Sequence, residues 1–114
     1  MKINQLYELY KDTLGMCGSF LLKENDEVLE YNVFEEFDIG VVSFLHEDSL
    51  IKLFEAGLIT ENEMLESTQL RDMVLTLQEN DEWNIEALRT SDNWKKVMVL
   101  ADKLNIFQRS VDLR

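Results

Sequence analysis

The absence of proline is the feature that most limits what this chain can fold into. None of its 114 residues is proline, where roughly 5% is usual for a globular protein. Proline interrupts helices because its ring removes a backbone N–H and clashes with the preceding turn. With no residue that forces a helix to break, the composition favours a helix-rich fold.

The length suits a single domain that covers residues 1–114. Hydrophobic residues make up 46% of the chain, which is enough for a folded core despite the high charge. Two Trp, six Phe and three Tyr supply bulky core side chains. We therefore predict one compact, mostly α domain of five to six helices.

Apolar residues recur at spacings of three and four, which is the pattern of amphipathic helices. This pattern predicts helices over residues 2–14, over residues 61–78, and from Ser91 or Asp92 onward. The predicted buried faces are Met64, Leu65, Thr68, Leu70, Met73, Val74 and Leu77 in the second of these helices, and Trp94, Val97, Met98, Ala101 and Leu104 in the last. Thr60 and Glu63 fit the capping-box pattern that begins the helix over 61–78.

Shorter elements are predicted between the first and second of these helices. Asp38 is a candidate N-cap for a short apolar segment over residues 39–45, which we expect to be buried. Asp48 or Ser49 is a candidate cap for the next short helix, and Gly57 is expected to end it.

Residues 19–33 leave two structures open. Apolar runs flank a polar turn at residues 23–27, and the second run alternates in a way that fits a β-hairpin near residues 20–33. The same residues also fit the end of one helix and the start of another. A lone two-stranded hairpin is only marginally stable unless it packs on something, so the helical surroundings favour helix or irregular structure.

Charge is distributed very unevenly along the chain. Residues 24–86 contain 18 acidic side chains and only two basic ones, Lys52 and Arg71, a formal charge of −16 against −12 for the whole chain. From Arg89 to Arg114 the sign reverses, with six basic residues against three acidic ones. Such a field attracts a basic protein partner. It repels anionic lipid and nucleic-acid phosphate, so we expect neither membrane binding nor direct nucleic-acid binding.

Cysteine usage and hydropathy predict a cytoplasmic protein. Cys17 is the only cysteine, so no intramolecular disulfide forms, which suits a reducing compartment. The N-terminal residues contain no apolar run of signal-peptide length. No window approaches the roughly 20 apolar residues that a membrane span requires.

No arrangement of residues in the sequence indicates catalysis or metal binding. His46 is the only histidine and has no companion nucleophile or second histidine, so we interpret it as a helix-end residue with a structural hydrogen bond. Cys17 follows a predicted helix C-terminus, whose dipole disfavours a thiolate. The acidic turns at 24–27 and 79–82 do not have EF-hand spacing. We expect no enzymatic activity, metal or cofactor.

Aromatic side chains are interleaved with the acidic ones at two places. Charged groups speed the encounter of two proteins, and aromatic rings among them supply desolvated anchors, so this combination is typical of tight protein interfaces. The candidate partner-binding residues are Glu30, Tyr31, Glu35, Glu36, Phe37, Asp38, Asp81, Glu82 and Trp83. The alternative for each ring is a place in the core beneath a solvated acidic face.

The stretch over residues 50–61, LIKLFEAGLITE, running into Leu70-Arg71-Asp72, resembles segments of small bacterial proteins of toxin systems. In size and acidity the chain is similar to immunity proteins of contact-dependent inhibition and related polymorphic toxins. This resemblance covers about half of the chain and implies no particular site residues. It implies a cytoplasmic antidote that binds a cognate toxin domain, often a basic nuclease, and blocks its active site.

Two other functions remain open at this stage. An acidic, nucleic-acid-mimicking regulator or adaptor of a host DNA-binding protein would have the same electrostatics, and gene neighbourhood would separate it from an immunity protein. A small enzyme or metal protein centred on His46 would lose its activity or metal affinity in His46→Ala. The oligomeric state is also open, because the apolar stripes fit either an internal core or a dimer face.

Overall fold

A computed structural model describes the backbone of residues 1–112 and the side chains of residues 1–106. The helices are α1 (Ile3–Gly15), α2 (Asp26–Leu29), α3 (Asp38–Ser43), α4 (Glu47–Glu55), α5 (Glu61–Gln78), α6 (Ile85–Thr90) and α7 (Asp92–Asp112), with a 3-10 turn at Ser19–Lys23 and a π-helical segment at Glu30–Phe37. Residues 1–112 contain no β-strand. None of their helices combines the length and apolarity that crossing a lipid bilayer requires.

The predicted mostly α fold of five to six helices is confirmed. α2, the π-helical segment and α3 follow one another without a break, so residues 26–43 form one continuous helix, which we call the central rod. Of the two structures left open for residues 19–33, the helical one is observed and the hairpin is not. Counting the central rod once gives six helices within residues 1–112.

The central rod buries residues that lie four positions apart. Leu29, Val33, Phe37 and Val41 have no accessible surface. An α-helix has 3.6 residues per turn, so positions four apart drift around it by about 40° at each step. The i→i+5 bonding of a π-helix gives a wider turn, and we infer that this offsets the drift. Both halves of the rod can then present the same side to the core.

The central rod begins at Asn25, whose side-chain oxygen accepts a hydrogen bond from the Val28 N–H at 3.0 Å. The prediction that Asp38 caps a separate helix is wrong. Asp38 has helical backbone angles, φ −59° and ψ −46°, and its carboxylate accepts a hydrogen bond from Gln78 on α5. A cap must leave the helical conformation, whereas Asp38 lies inside the rod and ties it to α5.

The rod approaches α1 very closely at Gly40. A Cβ added to Gly40 would lie 2.4 Å from both Cγ2 and Oγ1 of Thr13. Thr13 is buried, and its hydroxyl donates to the Leu9 carbonyl at 2.8 Å. The side chain of Thr13 therefore occupies the space that any residue larger than glycine would need.

Helices α4 and α5 begin and end through local hydrogen bonds. Gly57 follows α4 and terminates it, as predicted, because its φ of +76° is one that other residues rarely adopt. The Leu58 N–H donates to the Leu53 carbonyl at 3.0 Å, which completes a Schellman motif. The predicted capping box is confirmed at Thr60 and Glu63, and α5 has the predicted bounds.

The core forms where α7 packs against α1 and α5. The predicted buried face of α7 is confirmed, since Trp94, Val97, Met98, Ala101 and Leu104 are all buried. On α5 the prediction is confirmed for Leu70, Val74 and Leu77, whereas Met64, Thr68 and Met73 are half-buried and Leu65 is 57% exposed. Ser67 is buried on the same helix, and its hydroxyl is satisfied there by a hydrogen bond with the hydroxyl of Tyr10 at 2.7 Å. Burial raises the pKa of Tyr10, so this pair stays neutral.

Arg89 on α6 holds the chain just before the central rod. Its guanidinium donates to the Leu22 carbonyl at 2.9 Å and to the Glu24 carbonyl at 2.8 Å. It also donates to the Asp26 carboxylate at 3.0 Å. These bonds fix where the rod starts, and so help to fix which side of it faces outward.

Candidate functional site

The outward side of the central rod carries exposed acidic, aromatic and aliphatic side chains. Glu30 and Glu35 are exposed, and so are Tyr31 at 54%, Ile39 at 56% and Val42 at 57%. We call these five residues the outer face. The opposite side of the same rod is fully buried, so the outer face is held in place by the core.

Tyr31 lies among neighbouring carboxylates. Glu36, chiefly as a hydrogen-bond acceptor for the phenol, raises the pKa of Tyr31. The negative charges of Glu36 and Glu35 act in the same direction. The exposed ring therefore has an acidic surrounding.

Phe37, predicted as a partner-binding residue, has no accessible surface. It belongs to the buried repeat of the central rod, so it has no surface to offer a partner and the prediction needs correction. Of the two predicted aromatic residues on the rod, Tyr31 contributes the accessible surface.

An aromatic contact joins the predicted residues of the central rod (30–38) to those at 81–83. Phe34 on the central rod meets Trp83 edge-on, with ring centroids 5.0 Å apart. Trp94 on α7 lies 5.9 Å from Phe34 and 5.4 Å from Trp83 by the same measure. Trp83 is therefore half-buried in a three-ring cluster, where offset and edge-on contacts between rings are stabilising.

Glu82 has a structural role at the start of α7. Its carboxylate accepts hydrogen bonds from the Ser91 hydroxyl and from Asn93 Nδ2, the latter at 3.0 Å. Its backbone carbonyl accepts the indole N–H of Trp94 at 2.5 Å. The bonds from Ser91 and Asn93 lower the pKa of Glu82.

Replacing Glu82 with glutamine should lower the midpoint of thermal unfolding near pH 7. The midpoint of the variant should then fall less than that of the unaltered protein as the pH is lowered. A carboxylate whose pKa is lowered by folding stabilises the folded state above its unfolded pKa, and this stabilisation is lost as the pH falls through the folded pKa. The difference in midpoint between the two proteins should therefore shrink below about pH 4. Circular dichroism melts at a series of pH values measure it, and a pH-independent difference would contradict the assignment.

The predicted residues thus divide by exposure. Glu30, Tyr31, Glu35 and Asp81 are exposed. Half-buried positions are occupied by Glu36, Asp38, Glu82 and Trp83. In the half-buried group, Asp38 accepts a hydrogen bond from Gln78, and Glu82 accepts one from Ser91.

Sequence reasoning missed the aliphatic part of this surface. The prediction that residues 39–45 are buried is wrong for Ile39 and Val42, which are more than half exposed. Val42 lines a groove of about 330 Å³ between α3 and α5 together with Leu75, which is 36% exposed. The available signal was the spacing of four from Leu29 to Val41, because Ile39 and Val42 fall outside that buried stripe.

His46 and Cys17 have the structural roles that the sequence suggested. His46 is the N-cap of α4, and its Nδ1 accepts the Asp48 N–H at 3.2 Å, so the predicted caps Asp48 and Ser49 are wrong. Cys17 is buried, which raises the pKa of its thiol and disfavours the reactive thiolate. Among the described residues, no three His, Cys, Asp or Glu side chains are grouped to hold a metal ion.

No protein-family model, curated protein or solved structure matches this chain. The functional interpretation therefore starts from the outer face and the groove beside it.

Proposed function

We propose that this protein binds a basic protein domain through the outer face and inhibits it, and that this domain is a toxin, so that the protein acts as an immunity protein. The observation that carries the proposal is the outer face itself, where exposed carboxylates lie beside exposed aromatic and aliphatic side chains. That is the composition of an interface that both attracts and retains a cationic partner.

The acidic charge near the outer face is weakly neutralised by the fold. Arg71 donates to the Leu45 carbonyl at 3.2 Å, and its Nε lies 3.7 Å from the Asp72 carboxylate. Lys103 pairs with Glu66 at 2.7 Å, and Arg89 pairs with Asp26 at 2.9 Å. These pairs involve three of the 18 acidic side chains in residues 24–86, and the chain keeps a formal net charge of −12 that acts on a partner.

The apolar groups of the outer face would give the complex its lifetime. A tyrosine exposes a large ring with few rotatable bonds, so it contributes contact area at low entropic cost. The backbone of Tyr31 belongs to a helix whose opposite side is buried, so little of the chain must be ordered on binding.

The resemblance to immunity proteins supports a toxin as the partner, and a nuclease toxin fits the charge. Enzymes that grip nucleic-acid phosphates do so with lysine and arginine. A set of carboxylates on a rigid helix would occupy those side chains and exclude the substrate. A basic DNA-binding protein of the host would be attracted in the same way, which makes the identity of the partner part of the test.

The first test is an affinity pull-down from a lysate of the source organism, with mass spectrometry and a salt titration of the complex. We expect one dominant basic partner that is released as the salt concentration rises. A toxin domain among the captured proteins supports the immunity function, and a host DNA-binding protein replaces it with the regulator function. Capture of no basic protein at low salt contradicts both.

Reversing two charges on the outer face should slow association with that partner. The double variant Glu30→Lys/Glu35→Lys should reduce the association rate constant by about tenfold or more at low ionic strength, because electrostatic steering raises such rates by 10–10³. Glu36 is left unchanged because it influences Tyr31, and Asp38 because its carboxylate accepts a hydrogen bond from Gln78. Stopped-flow fluorescence measures the rate.

The matched control is Asp12→Lys/Glu55→Lys, which makes the same change of charge at exposed positions on α1 and α4. The control should slow association only slightly, since it changes the net charge but not the outer face. Equal rates for the two double variants would show that net charge alone governs the encounter, and that the outer face is not the binding site.

A further inference from the structure

We propose that the groove between α3 and α5 receives an apolar side chain from a cationic amphipathic helix of the partner. This inference rests on the proposed function, since it takes the bound protein to be basic. It adds the place of the contact on this chain and the form of the partner segment that occupies it. The groove is lined by Val42 and Leu75, with His46, Glu47, Arg71 and Asp72 around them.

Three aliphatic side chains give this part of the surface its apolar character. Ile39 and Val42 are 56% and 57% exposed on α3, and Leu75 is 36% exposed on α5. Ile39 and Val42 are three residues apart on a helix, so they lie on the same side of it. Single exposed aliphatic residues are ordinary. Here Val42 and Leu75 line one concavity, and Ile39 lies one helical turn from Val42.

The charges around the groove select a cationic occupant. Glu47 and Asp72 line it, and Glu35 lies one turn before Ile39 on the same rod. Arg71 is the one cation among the lining residues, and its side chain is only 19% exposed. Arg71 and Asp72 lie beside each other and offset each other's charge, so Glu47 is the lining carboxylate that remains to attract a cationic chain.

The form of the occupant follows from the secondary structure. Residues 1–112 contain no strand, so this part of the chain has no sheet edge to which a partner strand could add. A groove between two helices is suited to the other common mode, in which an amphipathic helix lays its apolar side chains into it. Lysine or arginine residues flanking those side chains would then meet the carboxylates around the groove.

A larger concavity of about 580 Å³ lies between the N-terminus and α4. Lys52 and Glu55 both line it, so its charge does not select an occupant. The lining of the groove between α3 and α5 has an acidic excess instead, with Glu47 and Asp72 against Arg71.

The test is a titration of the ¹⁵N-labelled full-length chain, followed by NMR, with three synthetic peptides. One is an amphipathic helix of lysine and leucine, one has the same lysines with serine in place of leucine, and one is an amphipathic helix of glutamate and leucine. We expect only the lysine–leucine peptide to shift the amide signals of residues 39–47 and 71–75. The serine peptide should bind at least about tenfold more weakly, because it has no apolar side chain to bury.

Two double variants separate the groove from exposed apolar surface in general. Val42→Ser/Leu75→Ser should weaken binding of the lysine–leucine peptide by about tenfold or more. Leu65→Ser/Val99→Ser removes side chains that are 57% and 65% exposed elsewhere, and should leave the affinity within about twofold. Helical circular dichroism confirms that each variant is folded.

The outcomes distinguish this inference from the proposed function. Equal binding of the lysine–leucine and lysine–serine peptides, or no effect of Val42→Ser/Leu75→Ser, overturns the groove while leaving attraction of a basic partner intact. Signals that shift elsewhere, or no binding of the lysine–leucine peptide at all, also overturn it. If the groove binds the peptide as expected but the Glu30→Lys/Glu35→Lys protein associates with its partner at the normal rate, the groove stands, and Glu30 and Glu35 are not the groups that attract the partner.

Discussion

Replacing Trp94 with alanine should lower the free energy of unfolding by about 3–5 kcal/mol. Trp94 has no accessible surface, and its ring packs against Phe34 and Trp83. Alanine would leave a cavity where three structural segments meet, the central rod, the loop before α6, and α7. It would also leave the Glu82 carbonyl without the indole N–H that it accepts. A loss of this size is a large part of the 5–15 kcal/mol that typically stabilises a domain.

Urea unfolding measures this loss, and two further variants identify its causes. Trp94→Phe keeps a ring but removes the donor to Glu82, so we expect a smaller loss of about 1–3 kcal/mol. Trp83→Ala serves as the matched control, because Trp83 is only half-buried. Equal destabilisation by Trp83→Ala and Trp94→Ala would contradict the conclusion that the ring of Trp94 is more deeply buried than that of Trp83.

Helix positions could be predicted largely because their signals are local. The Thr60–Glu63 capping box involves residues three apart, and it placed the start of α5 correctly. Gly57 ended α4 through its own backbone conformation. The apolar stripe of α7 repeats at helical spacing over three turns, so its buried face was also predictable.

The central rod could not be predicted in the same way. A polar residue before an apolar run looks like an N-cap, and Asp38 fits that description in the sequence. Its carboxylate instead accepts a hydrogen bond from Gln78, which is 40 residues away. The second apolar run of residues 19–33 alternates in a way that fits a strand, and its residues also fit a helix, so the sequence left helix and hairpin open.

The candidate site shows the same division between local and distant information. The sequence located the acidic and aromatic region, but it treated Tyr31 and Phe37 alike, although one is 54% exposed and the other is buried. Their difference depends on which way the rod is turned, and the core sets that. Glu82 likewise resembled a free surface acid until its bonds to α7 were known.

Replacing Gly40 with alanine should destabilise the protein by about 1–3 kcal/mol, although alanine is the better helix former by about 1 kcal/mol. The new Cβ would lie 2.4 Å from Cγ2 and Oγ1 of Thr13 and 2.9 Å from its Cβ. Such distances force α1 and the central rod apart. The matched control is Gly15→Ala, because nothing lies within 4 Å of a Cβ at Gly15. The control should be neutral or slightly stabilising.

Shortening Thr13 should relieve most of this loss, because the clash is with the side chain of Thr13. We expect Gly40→Ala/Thr13→Ala to unfold at a higher urea concentration than the sum of the two single effects predicts, with a coupling energy of about 1 kcal/mol or more. Some loss should remain, since the Cβ of residue 13 stays close. The four proteins of this cycle are compared by urea unfolding under identical conditions. Strict additivity would mean that α1 and the central rod do not meet at this pair, and the outer face would then lack the fixed orientation that its proposed function requires.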